Sequence, residues 1–181
     1  LSKAEHYEVK LKTLSIDIET KGDASEIYCI ALYVKNNDEK DTDVKNSIKE
    51  VLINSKTKVE NAVNYEDEKQ LLQTFLQRIK EIDPDVIVGW NVIDFDIAVI
   101  KKRCDFYKIP FVLGRAEWES SIRTYDDFFR SSDADVAGRQ VLDGIELLKG
   151  AFIKLNDYKL DTAAFSLLGK KKTEQFKDKR A

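Results

Sequence analysis

The sequence predicts an α/β fold with a mixed sheet, in which three antiparallel strands are followed by parallel strands and flanking helices. Three observations support this prediction. Strand-type patterns dominate the N-terminal part of the chain, whereas apolar residues recur at helical spacing from Tyr65 onward. Short apolar segments and helical segments then alternate, as expected when crossover helices connect parallel strands.

The strand predictions come from two apolar segments and a shorter third one. Ser15–Thr20 alternates strictly between apolar and polar residues, and Glu26–Val34 is a second apolar strand. The turn-rich Lys21–Ser25 between them is short enough for an antiparallel hairpin. Asn36–Asp43 predicts a turn or loop, and Glu50–Ser55 predicts the third strand. The chain is therefore expected to begin as a meander.

The first helix is predicted from six apolar residues at helical spacing, and Asp83–Pro84 should end it. These residues are Leu71, Leu72, Phe75, Leu76, Ile79 and Ile82. Asp85–Trp90 follows as a short apolar strand of the kind that is buried on both faces. A second helix should begin near Asn91 or Asp94 and end at Tyr107.

The pattern is weaker after the second helix. Glu117–Gly138 is polar and mixed, and we interpret it as an insertion or a substrate-side loop. Arg139–Leu148 contains further apolar segments, and Tyr158–Leu168 predicts an amphipathic helix capped by Gly169. The basic tail at 170–180 is expected to be a solvated charged segment.

The composition favours one soluble, intracellular domain. Hydrophobic residues make up 43% of the 181 positions, enough for one core, and no apolar run approaches the roughly 20 residues of a membrane span. Cys29 and Cys104 lack metal-binding spacing, so we expect buried thiols rather than a disulfide or a zinc site. A net charge of −3 argues against broad phosphate neutralisation, so any nucleic acid must be held locally.

Asp17 and Glu19 are the first candidates for chemistry. Because strand side chains alternate between faces, both carboxylates should point to one side, with Ile16 and Ile18 on the other. Two acids within an apolar strand are unfavourable unless a cation offsets their repulsion, and oxygen ligands suit Mg²⁺ or Mn²⁺ better than zinc. On its own, the pattern also fits an edge strand whose carboxylates merely face solvent.

A second acidic pair lies where the predicted strand Asp85–Trp90 gives way to a helix. Asp94 suits the first turn of a helix capped by Asn91, where capping and the helix dipole favour an acid. Asp96 is the better metal-ligand candidate, because an acid at this junction can face the first strand across the sheet.

Two motifs carry a resemblance to a known family. Asp17-Ile18-Glu19-Thr20, and Asn91 followed by Phe95-Asp96, resemble the first and second motifs in the exonuclease domains of family B DNA polymerases. Four further segments resemble the bacterial polymerase II branch of that family: residues 84–96, 110–115, 141–148 and 158–169. The resemblance covers nearly the whole chain and implies a ribonuclease H-like (DnaQ-like exonuclease) fold.

The resemblance implies a proofreading 3′→5′ exonuclease that hydrolyses the 3′-terminal phosphodiester with two ions, Mg²⁺ or Mn²⁺, and releases nucleoside monophosphates. One ion would be held by Asp17, Glu19 and an acid of a third motif, and the other by Asp17 with Asp96. The residues implied to bind substrate are Thr20, Asn91 and Phe95. The implied partners are the single-stranded 3′ end of DNA, the remaining polymerase domains and a sliding clamp, in the cytoplasm with the nucleoid.

The third family motif, Tyr-x-x-x-Asp, is absent from the sequence. Tyr158 and Asp161 are one position too close, and Tyr125 is followed by acids at the wrong spacing. Asp143 lies in a segment that resembles a non-catalytic segment of the family, and we expect it to have a structural role in a turn. Because methionine is also absent, we expect 1–181 to be a single domain of a longer polymerase, truncated before the third motif and weakly active or inactive alone.

Two other functions stay open. A stand-alone exonuclease of the same fold is disfavoured by the missing third motif. A catalytically silent domain that only binds single-stranded DNA or a partner is disfavoured by the intact Asp17, Glu19 and Asp96. A nucleotide-binding doubly wound domain is the weakest alternative, because no Gly-rich phosphate loop follows a strand.

Overall fold

A six-stranded mixed sheet is the main feature of the computed structural model, which describes residues 9–34, 47–125 and 131–170. Its elements, in chain order, are β1 (Thr13–Thr20), β2 (Ile27–Val34), β3 (Ile48–Asn54), β4 (Val63–Tyr65), α1 (Glu68–Ile82), β5 (Val86–Gly89), a π-helical segment (Val92–Ile97), α2 (Ala98–Tyr107), β6 (Ser121–Arg123), β7 (Asp133–Asp135), β8 (Gln140–Asp143), α3 (Gly144–Gly150) and α4 (Leu160–Leu168).

The strand order of the main sheet is β4-β3-β2-β1-β5-β8. β1, β2 and β3 are antiparallel neighbours, whereas β5 runs parallel to β1 and β8 runs parallel to β5. The predicted α/β fold, with three antiparallel strands followed by parallel ones, is confirmed. β4 pairs in parallel with β3, and the sequence pattern did not predict this short strand.

The core lies on one face of this sheet. Leu14, Ile16 and Ile18 of β1 are buried there in one cluster with the apolar side of α1, as the predicted strand and helix periods require. This α1 side is formed by Leu71, Leu72, Phe75, Leu76, Ile79 and Ile82. The opposite face of β1 carries the two candidate acids, so the packing of the core also determines which side of the sheet presents them.

The first two predicted helices both form, but their N-termini differ. The Asp67 side chain accepts a hydrogen bond from the Gln70 N–H and caps α1, and Asp83 ends the helix in a left-handed conformation, as Asp83–Pro84 predicted. The second helix begins as a π-helical segment and ends at Tyr107, the predicted residue. Its predicted side-chain cap from Asn91 is wrong, because that residue has φ +57° and its side chain forms no capping hydrogen bond.

The segment predicted as a loop over Glu117–Gly138 contains regular structure. β6 and β7 pair antiparallel in a separate two-stranded sheet, with Ile122 opposite Ala134. The loop interpretation is therefore wrong for these strands, which are only three residues long each and carry polar residues, so that neither has a clear strand pattern. The loop predicted over Asn36–Asp43 and the tail at 171–180 lie outside the described residues.

The chain divides into two compact units after Gly144. In the second unit, α4 ends at Leu168, and Gly169 follows with φ +65°, the backbone conformation that favours glycine at a helix C-terminus. The helix and the Gly169 cap predicted over Tyr158–Leu168 are confirmed, apart from the first two residues. None of the described helices is long and apolar enough to cross a bilayer.

Candidate metal-binding site

The exposed face of β1 presents the first two candidate acids. Asp17 and Glu19 are exposed, whereas Ile16 and Ile18 on the other face are buried, as the alternation predicted. Glu19 lies directly opposite Cys29 of β2. Burial and then the charge of Glu19 raise the pKa of the Cys29 thiol above its ordinary value. Asp17 raises the pKa of Cys29 as well, so the charges of both acids act on the same side of β2.

The end of β1 is irregular. Its register against β2 shifts between Glu19 and Thr20, so that Thr20 pairs with Ile27. Such irregularities locally redirect side chains and are common beside active sites. Thr20, a predicted substrate-binding residue, is half-buried at this position.

Asp96 reaches β1 from the π-helical segment. It is only 3% exposed, and its Oδ1 accepts a hydrogen bond from the backbone N–H of Ile18 at 3.0 Å. The pairing of β1 with β5 stops at Ser15 and Val88, so the Asp96 side chain takes over the bonding to β1 beyond that point. Asp94 is exposed. Asp96 thus faces the first strand, as the sequence predicted.

The surroundings of Asp96 are unfavourable for a bare carboxylate. Burial, followed by the negative charge of Asp17, raises the pKa of Asp96 to about 7, and Asp143 adds to this effect. The Ile18 N–H acts in the opposite direction, and no Lys or Arg among the described residues forms an ion pair with Asp96. A buried carboxylate beside a second acid binds either a proton or a cation.

The structure brings the candidate acids together in pairs and not as a complete set of metal ligands. In the described part of the chain, no three His, Cys, Asp or Glu side chains are grouped so that they could hold one metal ion together. The charge of Asp17 raises the pKa of Asp96, so these two acids lie near each other. Glu19 lies two residues from Asp17 on the same face of β1. Asp17 is therefore the shared member of two pairs, and each pair needs further oxygen ligands to complete a site for Mg²⁺ or Mn²⁺. The assignment of these acids to a metal stays a prediction.

Asp143 holds the turn that leads to Asp96. It is 4% exposed at the end of β8, and its two carboxylate oxygens accept hydrogen bonds from the N–H groups of Asn91 at 3.2 Å and Ile93 at 3.1 Å. These bonds take the place of the side-chain cap predicted for Asn91. A turn role was predicted for Asp143 from the sequence, but the sequence did not indicate which turn it serves.

The other predicted substrate residues surround the same junction. Phe95 is 39% exposed, so its ring is accessible. Trp90 is half-buried, and a Cβ atom on Gly144 would lie only 2.7 Å from its ring, which indicates a packing role. Asn91 is half-buried in the left-handed conformation. Contact of Thr20, Asn91 or Phe95 with a substrate stays a prediction.

Sequence reasoning missed the influence of Asp143 on Asp96. A signal was present, because Asp143 directly follows the apolar pair Val141–Leu142, although no strand was predicted there. The carboxyl ends of parallel strands meet at one edge of a sheet, and ligand sites form there in α/β folds. β1, β5 and β8 all end at this edge, so the candidate acids lie where the fold places functional sites.

A mixed sheet of this order with acids at its carboxyl edge is that of a ribonuclease H-like exonuclease domain. The family model "DNA polymerase family B, exonuclease domain" matches residues 2–163. The chain therefore belongs to the family of exonuclease domains of family B DNA polymerases.

Relatives and a solved structure agree with this membership. The chain is 33% identical to DNA polymerase II of Escherichia coli over 180 residues, covering 92% of this chain and 21% of that protein. It is 33% identical to a DNA polymerase of Thermococcus sp. over 114 residues, 63% of this chain and 14% of the relative. A family B DNA polymerase from Pyrobaculum calidifontis has the same fold, with TM-score 0.66, 21% identity, and coverage of 93% of this chain and 20% of that one. The chain thus spans about a fifth or less of these proteins.

Proposed function

We propose that this chain is the proofreading 3′→5′ exonuclease domain of a DNA-directed DNA polymerase of the polymerase II type. Family membership and the similarity to Escherichia coli DNA polymerase II support the proposal. The central observation is Asp96, a buried acid that lies beside the charge of Asp17 and forms no ion pair with a Lys or Arg of the described residues. A buried carboxylate in these surroundings binds a proton or a cation, and acids with a pKa raised in this way are candidates for a functional site.

Exonuclease domains of this family generally use divalent metal ions. We propose that Asp17, Glu19 and Asp96 hold two ions, Mg²⁺ or Mn²⁺. Bound ions of this kind activate a water molecule and offset charge on the attacking and leaving oxygens of a phosphodiester. The Ile18 N–H orients Oδ1 of Asp96, so Oδ2 is the atom proposed to face an ion.

The substrate proposed for this site is the single-stranded 3′ end of DNA. The half-exposed ring of Phe95 is available for stacking against a terminal base, while Thr20 and Asn91 lie at the ends of the two elements that carry the acids. A mispaired end frays at little cost and needs only a local groove. Such local binding is compatible with a net charge of −3.

We also propose that residues 1–181 are one domain of a longer polymerase in the cytoplasm. The length of the relatives supports this, because the chain spans 21% of Escherichia coli DNA polymerase II. The third-motif acid would then lie outside these residues, and the other polymerase domains, with a sliding clamp bound through them, would be the partners. The isolated chain would bind its metals weakly.

The test is the substitution Asp17→Ala in the full-length natural protein. Loss of the shared ligand should lower the rate of degradation of a mismatched 3′ primer end by about 10³-fold or more, the scale seen when a member of a catalytic centre is removed. Primer extension by the same preparation reports that the protein is folded.

Asp94→Ala is the matched control, because Asp94 is an exposed acid two residues from Asp96. This variant should degrade the primer at the wild-type rate. Full degradation by Asp17→Ala, or an equal loss in both variants, would refute the assignment of the carboxylates.

A further inference from the structure

The end of β8 supports the segment that carries Asp96. Asp143 uses both carboxylate oxygens on backbone N–H groups of that segment, those of Asn91 and Ile93. We propose that Asp143 is a positioning residue for the exonuclease reaction: it holds the turn from which Asn91 and Asp96 project. This inference rests on the proposed function.

The turn depends on support from outside. Asn91 has φ +57°, a conformation that non-glycine residues rarely adopt, so neighbouring contacts must hold it. The first N–H groups of a helical segment have no partner within it, and here the Asp143 carboxylate accepts from two of them. An acid at this position is also favoured by the partial positive charge of the helix N-terminus.

The same turn is tightly packed on two further sides. A Cβ atom on Gly89 would lie 2.8 Å from the side chain of Val92 and 3.0 Å from the carbonyl oxygen of Ile16. A Cβ atom on Gly144 would lie 2.7 Å from the ring of Trp90. The turn can therefore move little while Asp143 is bound to it.

The position of Asp96 follows from this turn. The Phe95 N–H donates to the Asn91 carbonyl oxygen at 3.0 Å, so the π-helical segment starts directly at the residue that Asp143 holds. Asp96 lies within this segment and reaches Ile18 through one hydrogen bond. A shift of the turn would therefore displace Asp96, the candidate metal ligand. Asp143 thus acts on the site indirectly, through its hydrogen bonds to the backbone N–H groups of the turn.

The test uses Asp143→Asn in the full-length natural protein. An amide offers one acceptor oxygen and an NH₂ group, so it can serve only one of the two N–H groups. We expect Mn²⁺ affinity at the exonuclease site and kcat for 3′-end degradation each to fall by about 10- to 100-fold, the scale for residues that orient metal ligands. The KM for DNA should change little.

Mn²⁺ binding is measured without DNA by the electron paramagnetic resonance signal of free Mn²⁺. Binding that persists in Asp17→Ala is subtracted, since it belongs to other sites of the protein. The matched control is Glu68→Gln, which alters another buried carboxylate, 3% exposed. This variant should lower the melting temperature without changing Mn²⁺ affinity at the exonuclease site.

A folded Asp143→Asn protein with wild-type Mn²⁺ affinity and kcat would overturn the inference. If this variant does not fold, Gly144→Ala tests whether the turn positions the metal ligand, because the added methyl group presses on Trp90 of the same turn. Weakened Mn²⁺ binding in Gly144→Ala supports positioning through the turn, and wild-type binding overturns it. The wild type could bind Mn²⁺, with an affinity that Asp143→Asn weakens, and yet not degrade 3′ ends. That result would contradict only the proposed function. A wild type that lacks the Mn²⁺ site would overturn both the proposed function and this inference.

Discussion

Glu68 and Asp96 are two carboxylates that are each 3% exposed, yet their surroundings differ. Glu68 accepts hydrogen bonds from the Ile27 N–H at 2.8 Å, from the Arg103 guanidinium at 2.9 and 2.7 Å, and from the Tyr107 hydroxyl at 3.0 Å. The same carboxylate raises the pKa of Arg103 above its ordinary value. Glu68 thus joins α1, α2 and the start of β2 through a compensated charge.

Asp96 accepts a hydrogen bond from the Ile18 N–H and lies near the acid Asp17, and no Lys or Arg of the described residues forms an ion pair with it. Burial of a charge is tolerated in folded proteins when it is paired and hydrogen-bonded, as Glu68 is. A buried acid that has no cationic partner lowers the stability of the fold when it is ionised, and such acids are candidates for functional residues. The comparison therefore distinguishes a compensated carboxylate, Glu68, from Asp96, the carboxylate that we propose to be functional.

The largest expected effect on stability concerns the ionisation of Asp96. Its pKa in the folded protein is about 7, above the ordinary 3.8, so the folded state binds the proton more tightly than the unfolded state. The free energy of unfolding should therefore fall as pH rises from about 4 to 7, by about 4 kcal/mol from this group. Urea denaturation without divalent ions measures it, and Asp96→Asn should remove this part of the pH dependence.

Added Mg²⁺ provides the complementary measurement at pH 8. An ion that binds only the folded state should raise the melting temperature of the wild type more than that of Asp96→Asn. Identical pH profiles for the two proteins would show that the Asp96 charge is compensated, and the contrast with Glu68 would then disappear.

The next effect is the loss of the compensated charge at Glu68. Glu68→Gln leaves the Arg103 guanidinium, whose side chain is 11% exposed, without its carboxylate partner. Breaking a buried pair in this way should lower the free energy of unfolding by about 3 kcal/mol at pH 7. A loss below about 1 kcal/mol, the range of exposed pairs, would contradict a structural role for this cluster.

A smaller effect is expected at Phe95, whose ring is 39% exposed. Stacking of a base on an aromatic ring contributes about 1–3 kcal/mol, so Phe95→Ala should weaken binding of a single-stranded oligonucleotide about tenfold. Fluorescence anisotropy in the presence of Ca²⁺ measures this affinity without cleavage. Unchanged affinity combined with a large loss of stability would instead assign Phe95 to the core.

The smallest effect is expected from the ion pair between Lys101 and Asp105 on α2. Their atoms Nζ and Oδ2 are 2.9 Å apart, but the side chains are 29% and 56% exposed. Lys101→Ala should therefore change the free energy of unfolding by less than about 0.5 kcal/mol in urea denaturation. A change as large as that of Glu68→Gln would show that burial does not distinguish the Lys101–Asp105 pair from the Arg103–Glu68 pair.

Much of the site could be predicted from local sequence patterns. The alternation in β1 was sufficient to place Asp17 and Glu19 on one face, and the helical period identified the buried side of α1. The change from strand to helix after Trp90 predicted that an acid there faces β1, and Asp96 does so, whereas Asp94 is exposed. These features follow from the sequence itself, because side-chain direction in a strand or helix repeats over two to four residues.

Only the tertiary structure decided how these residues are connected. The bond from Ile18 to Asp96 joins residues 78 positions apart, and the bonds from Asn91 and Ile93 to Asp143 span 52 and 50 positions. The left-handed turn at Asn91 and the raised pKa of Asp96 both depend on such contacts. No local pattern encodes them, because burial and the distance between charges are set by packing between distant segments, and the electrostatics of the site follow from that packing.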